Sequence, residues 1–259
     1  MENKKETGKE LEEQKDNLPE SRKDNVPAPR ISGDVVDDIK SPAGFESIED
    51  GDIKMARLGV VQGLSEVAIS GKAKMGDIFN NISQEIYGES VEIIPLFMFK
   101  TRAQFDVERG LVMMSRDNIK VTMAIDEFAE HMDKPVEEVP GANWNGDEPP
   151  TFCQVYNFPC LLVGQSFVFP LSLSMMKTAA KVAKTFLSMA RYTGEDMFAR
   201  VYKVSSKIEK GTKGTYAVPT IEFVRRCTDQ EYALGRKFFT TMYKRKSDIE
   251  VSLEEERAE

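Results

Sequence analysis

The sequence predicts a β-rich α+β fold: an OB-like five-stranded antiparallel barrel with an inserted helix, a C-terminal helix and disordered termini. Three observations lead there. Short apolar runs rich in β-branched and aromatic residues, separated by turn residues, recur from Val91 to Val224. One long amphipathic stretch precedes the last pair of them, where a small Greek-key barrel accommodates a helix. The two ends of the chain carry charge but no apolar period. A generic α+β sandwich has the same order of elements, and periodicity does not separate the two.

The elements follow in order. Residues 1–52 are mostly Glu, Lys, Asp, Asn, Pro and Ser, and are expected as a disordered acidic N-terminal arm. Such a segment cannot bury enough apolar surface to offset its ordering entropy. A single domain is expected over residues 53–246 and an acidic C-terminal tail over 247–259. Val91–Phe99 is too short for a long helix and rich in β-formers, so it reads as a buried strand in which Pro95 marks a bulge or a sheet edge. Gly110–Ser115 and Ile119–Ala124 flank the turn material Arg116-Asp-Asn118 and read as a hairpin. Residues 133–150 hold four of the twelve prolines and the only tryptophan, Trp144, which makes this stretch a long loop.

Phe152–Val163 is a further strand, with Phe167–Ser172 as its expected mate. The clearest helix follows. Ser174 is placed to cap it, Met175, Ala179, Val182, Ala183, Phe186 and Ala190 recur at helical spacing, and Lys177, Lys181 and Lys184 line the other side. Met197–Lys207 and Thr215–Val224 form the last strand pair, joined by a loop with two glycines. Thr228-Asp-Gln-Glu231 is a capping box that opens a terminal helix through about Tyr243.

The formal charge of −8 hides a strong asymmetry. Residues 170–246 carry 16 basic and 6 acidic side chains, a net +10, whereas the 1–52 and 247–259 segments carry −7 and −5. A basic block is thus held between acidic ends. With three cysteines, no Cys-x-x-Cys pair and one histidine, neither a disulfide scaffold nor a tetrahedral zinc site is expected. His131 reads as an exposed histidine on a surface helix rather than a catalytic base. Lys72 and Lys74 sit in a loop without the Gly-Lys-Ser/Thr of a phosphate-binding P-loop. The adjacent pairs Asp126-Glu127 and Glu137-Glu138 diverge rather than converge on a metal. No apolar run is long enough to span a membrane, and no signal peptide is expected. The expectation is a protein that is not an enzyme, with no cofactor and no membrane partner.

The basic block carries the candidate site. Arg200, Lys203, Lys207, Lys210 and Lys213 alternate with Tyr202 and Tyr216, and single-stranded nucleic acid needs both kinds of group. Cations neutralise phosphates and release counterions, and aromatic faces stack bases. Two-residue alternation puts Arg200 and Tyr202 on one face, and Val201, Lys203, Ser205 and Lys207 on the other. Lys100, Arg102 and Trp144 are secondary candidates.

Several stretches resemble a family. Arg57-Leu-Gly-Val-Val-Gln-Gly-Leu-Ser65, Gly71-Lys-Ala-Lys-Met-Gly-Asp-Ile-Phe79, Tyr87-Gly88, Val91-Glu-Ile-Ile-Pro-Leu96, Tyr156-Asn-Phe158, Pro170-Leu-Ser-Leu-Ser174 and Tyr216-Ala-Val-Pro219 look like a group of tailed-bacteriophage single-stranded DNA-binding-like proteins, over about residues 55–225. Relatives in that group often carry several cysteines and a tryptophan before the position of Tyr156. This chain keeps Trp144 and Cys153 but has no Cys-x-x-Cys there, so a metal-stabilised loop is not expected in it. The acidic tail resembles those of single-stranded DNA-binding proteins in general, without their terminal aromatic residue.

The resemblance implies a bacteriophage single-stranded DNA-binding protein with little sequence preference, acting in DNA replication or recombination in the host cytoplasm. Its implied partners are single-stranded DNA and, through the acidic tail, phage replication or recombination proteins. The alternative is a phage structural or host-interaction protein that binds no nucleic acid.

Overall fold

The computed structural model describes residues 54–106, 108–164, 170–211, 214–246 and 249–253. All of them lie in the unit that spans Lys40–Glu259. The N-terminal arm, Lys213 and residues 254–259 fall outside the described residues, as does Phe167–Phe169 of the expected strand mate.

The chain runs β1 (Arg57–Val60), α1 (Glu66–Ile69), β2 (Ile78–Asn80), β3 (Ile86–Gly88), β4 (Ser90–Pro95), β5 (Phe99–Asp106), β6 (Gly110–Ser115), β7 (Met123–Ala124), β8 (Cys153–Leu162), β9 (Leu171–Met175), α2 (Ala180–Tyr192), β10 (Arg200–Gly211), β11 (Gly214–Arg226) and α3 (Asp229–Tyr243). Among the described residues these strands form one eleven-stranded sheet in the order β11-β10-β4-β8-β9-β1-β2-β3, from which β5, β6 and β7 branch beside β8. The β1–β9 pair is parallel and the other strand pairs are antiparallel.

The β-rich expectation with a few helices holds, but the five-stranded OB barrel does not. The sheet is open, mixed in direction and more than twice as wide. Two features were hidden in the sequence. The strands β1, β2 and β3 are only three or four residues long and sit in a polar stretch without alternation. The parallel β1–β9 pair joins segments more than a hundred residues apart, which no local pattern signals.

Pro95 marks the break between two strands that both run against β8. β4 pairs with Cys160–Leu162 and β5 with Cys153–Asn157. Between them, Leu96–Met98 spans the place of Phe158–Pro159, and Leu96 N–H donates to the Pro159 carbonyl at 2.7 Å. This is a bulge of the kind that bends a strand.

Successive residues of β4 and β8 point to opposite faces of the sheet. Ile93, Phe158, Cys160 and Leu162 join Ala183 and Phe186 of α2 in one core. Ile94, Val155 and Leu161 join Phe198, Val251 and Leu253 in a second, with Leu234, Phe238, Phe239 and Met242 of α3 packed against it. The sheet therefore has a helix on each face. Asn157 is fully buried between β5 and β9, where its amide donates to Thr101 Oγ1 (2.9 Å) and accepts from the Ser174 hydroxyl (2.7 Å). Gly59 lies against the Phe79 ring so closely that a Cβ there would come within 2.4 Å of it.

Several local expectations were displaced. Ser174 belongs to β9 and does not cap α2, which begins after a 3₁₀ turn at Lys177–Ala179 and has Ala179 at its N-cap without a side-chain bond. The strand expected over Ile119–Ala124 is reduced to Met123–Ala124, which still pairs with β6. The capping box of α3 forms as expected, with the Thr228 hydroxyl accepting from Glu231 N–H and the Glu231 carboxylate accepting from Thr228 N–H.

Part of the expected acidic tail is also packed. Ile249–Leu253 lies along Met55, with a parallel bridge between Met55 and Val251, and Val251 and Leu253 are buried. Glu250 pairs with Lys54 and Arg116, and Asn81 donates to Ser252. The apolar alternation Ile249-Glu-Val-Ser-Leu253, concealed by the surrounding acids, accounts for this docking.

Candidate nucleic-acid interface

The β10–β11 hairpin is the longest strand pair of the described residues and carries most of the predicted site. Its alternation is as expected. Tyr202 faces α2, and Lys203, Ser205, Lys207 and Glu209 share the opposite face. Cα partners across an antiparallel pair share a face, so the register builds a polar platform on β4, β10 and β11. Its rungs are Glu92·Lys203·Glu222, Ser90·Ser205·Thr220, Lys207·Val218 and Glu209·Tyr216.

The structure separates the predicted residues into three groups. The first is structural. Tyr202 is 1 % exposed and its ring meets Phe186 edge-on at 4.9 Å, so it is a core residue and cannot stack a base. Burial raises its phenol pKa. Arg102 is half-buried and donates to the carbonyls of Ala142 (2.7 Å) and Phe152 (3.3 Å) and to Asn118 Oδ1 (3.1 Å). It pins the loop that precedes β8, and desolvation lowers its pKa.

The second group is cationic but matched by carboxylates. Arg200 and Arg226 are Cα partners, a like-charge pair that Glu195 bridges, accepting from Arg200 Nε at 2.7 Å and from Arg226 through its other oxygen. The Arg200 guanidinium also lies 5.0 Å from the Phe223 ring centroid. Arg225 makes a bidentate pair with Glu231, both contacts at 2.7 Å. Lys203 is exposed and has Glu92 and Glu222 only as Cα partners on the adjoining strands, without an ion pair to either.

The third group gathers at the outer half of the hairpin. Lys207 and Lys210 are exposed, and Tyr216 is partly exposed. Lys207 Nζ lies 2.6 Å from Glu209 Oε1, and the Tyr216 hydroxyl donates to Glu209 Oε2 at 3.4 Å. These contacts hold the Glu209 carboxyl below its usual range, the Lys207 hydrogen bond first, with Lys181 of α2 within electrostatic reach of the same group. Lys181 and Lys184 are exposed on α2. The loop carrying Lys72 and Lys74 also meets the hairpin, since Ser206 Oγ donates to the Gly76 carbonyl at 2.7 Å.

Lys100 and Trp144 lie elsewhere. Lys100 is exposed on β5 with its Nζ 5.5 Å from the Tyr156 ring. Trp144 is 67 % exposed beside a tight turn bridged between Asn145 and Glu148. No hydrogen bond or ring contact among the described residues joins either to the hairpin.

Glu209 and Glu195 were not anticipated as site residues. The signal was present in Lys207-x-Glu209, an opposite-charge pair two residues apart and hence on one strand face, but a lone acid in a basic run reads as dilution. Asp126 and Glu127 do not diverge as expected of adjacent residues, since both pair with Arg109. Among the described residues no group of three or more His, Cys, Asp and Glu side chains could hold a metal ion. His131 ends a 3₁₀ helix and, contrary to expectation, its side chain is only 12 % exposed. None of the three cysteines is in a disulfide, and burial pushes the Cys160 thiol up to about 12. No described helix is long and apolar enough to cross a membrane.

A family model, the Pam3 phage gp34-like protein, matches residues 23–248. The chain belongs to the Pam3 phage gp34-like family. The phage part of the resemblance is thereby placed on a match that covers most of the sequence, including every strand and helix described above. No match was found among curated proteins, and none among solved structures.

Proposed function

We propose that this member of the Pam3 phage gp34-like family is a single-stranded DNA-binding protein of the phage, acting in DNA replication or recombination in the host cytoplasm. It holds the strand at the outer half of the β10–β11 hairpin. The observation that supports this is Lys207 and Tyr216 on one face of the outer hairpin, with Lys210 exposed at the same end of β10. Phosphates would be neutralised by the lysines and a base stacked on the Tyr216 face, a combination with little sequence preference. Compared with the sequence expectation the site is smaller, because Tyr202 and Arg102 serve the fold and Arg200 is engaged by Glu195. Fluorescence anisotropy of labelled oligo-dT, titrated with salt, tests the proposal. Binding at low salt that weakens steadily as salt rises supports it, and absence of binding at low salt overturns it.

A second reading is a structural or host-interaction role without nucleic acid. It is favoured by the carboxylates set against the cations of the inner hairpin, which leave little net positive field there. Stoichiometric co-purification with phage particles, together with no oligo-dT binding, would select it.

A further inference from the structure

Within the proposed site, one acidic residue is placed where an anion is wanted. Glu209 lies near the end of β10 on the same face as Lys207, directly across from Tyr216. Its two oxygens are used separately, Oε1 by the Lys207 ammonium at 2.6 Å and Oε2 by the Tyr216 hydroxyl at 3.4 Å. A cation on β10 and a phenol donor on β11 thus converge on one carboxylate.

This arrangement differs from the other ion pairs of the hairpin. Glu195 and Glu231 tie β10 and β11 to neighbouring segments, Glu195 from the turn before β10 and Glu231 from the first turn of α3. Glu209 ties nothing to the hairpin that the strand ladder does not already hold, since Lys207, Glu209 and Tyr216 all belong to it. All three lie towards solvent, where an ion pair adds little to stability. A carboxylate and a phosphodiester both present anionic oxygens to the same donors. Removing this carboxylate would cost the fold little and leave the donors unmatched.

We infer that Glu209 is an internal stand-in for a backbone phosphate: it occupies the anion position between Lys207 and Tyr216 in the free protein and is displaced when single-stranded DNA binds. This rests on the function proposed above and adds a regulatory element to it. Binding would exchange one intramolecular pair for one phosphate contact, so the carboxylate weakens affinity and flattens the salt response. It also favours long strands, whose many phosphates compete better than a single free anion.

The test compares the full-length protein with Glu209→Gln and Glu222→Gln by oligo-dT anisotropy over a salt series. Both variants remove one negative charge, and Glu222 lies on the same face six rungs closer to α3. Glu209→Gln should bind about three- to tenfold more tightly at low salt, with a slope of log K against log salt steeper by about 0.7, the value for one additional single-strand phosphate contact. Glu222→Gln should tighten binding less and leave the slope unchanged. Thermal unfolding of both variants should match the parent. Wild-type binding with no gain in Glu209→Gln, or an equal gain in the two variants, overturns the inference and leaves the proposed function standing. No binding by any of the three at low salt overturns both.

Discussion

Gln62 closes the backbone of Ala217 as a neighbouring strand would. Its side-chain carbonyl accepts from Ala217 N–H at 3.0 Å, and its amide donates to the Ala217 carbonyl at 3.1 Å. Ala217 therefore turns its peptide groups away from β10. By two-residue alternation Pro219, Ile221 and Phe223 turn theirs the same way. β11 is the last strand on its side of the sheet, and it is blunted in three places. Gln62 occupies Ala217, Pro219 has no N–H to offer, and the register shifts near Val224, between the pairs Val201·Arg225 and Tyr202·Phe223. Exposed edges pair with other chains unless they are managed in such ways.

Substituting Gln62 with Ala removes both bonds and leaves the Ala217 groups without their partner. A loss of about 1–3 kcal/mol of stability is expected for a partly buried pair of this kind. Denaturant unfolding measures it. Light scattering on warming should show association earlier than in the parent, and unchanged unfolding and scattering would mean that Gln62 protects nothing.

Gly59→Ala should be costly for a different reason. The added methyl meets the Phe79 ring at 2.4 Å, and overpacking of this kind costs about 1–3 kcal/mol. Phe79→Leu in the same chain should recover part of the loss, because the double change relieves the contact. Thermal melts of the two single variants and the double one give the coupling.

Truncation tests how much the docked segment Ile249–Leu253 contributes. Removing residues 249–259 takes Val251 and Leu253 out of the second core, and each buried aliphatic side chain is worth about 1.5–3 kcal/mol. Removing 254–259 alone leaves both in place. The shorter deletion should leave the melting temperature unchanged and the longer one should lower it markedly. Acid-tail effects on DNA binding are therefore to be measured with the shorter deletion.

Much of the architecture could be read from local signals, and the failures have physical causes. β6, β8 and the β10–β11 hairpin were legible because apolar runs end in turn residues, and the Thr228–Glu231 capping box is a local device that survives any tertiary context. The sheet order was not legible, since the β1–β9 and β4–β10 pairings depend on residues far apart in the chain. In the site, alternation assigned the faces of β10 correctly, yet it could not say which face α2 covers. Tyr202 is consequently buried on Phe186, while Lys203 and Lys207 reach solvent. The block charge of +10 already subtracts Glu195 and Glu231 but does not say which cations they meet; the fold sets them against Arg200, Arg226 and Arg225.

The Arg225–Glu231 pair predicts a pH response. Hydrogen bonding to Arg225 holds the Glu231 carboxyl down to about 2, from an ordinary 4.5. A depressed carboxyl stabilises the folded state fully above its ordinary value, and that stability is lost as pH falls through the folded one. Acid should therefore weaken the protein between about 4.5 and 2 through this pair. In Glu231→Gln the same window should contribute less slope to a plot of stability against pH. Equal slopes in parent and variant would show that the pair contributes nothing.

The most direct test of the central proposal is the salt-titrated affinity of the full-length protein for oligo-dT beside Lys207→Ala/Lys210→Ala. Both side chains are exposed, so the fold should survive their removal. The parent is predicted to bind at low salt, and the double variant to bind about tenfold or more weakly with a salt slope shallower by about 0.7, the value for the Lys210 contact, since Glu209 already offsets that of Lys207. A parent that does not bind at low salt, or a double variant that binds with the parent's affinity and slope, would contradict the placement of single-stranded DNA on this hairpin.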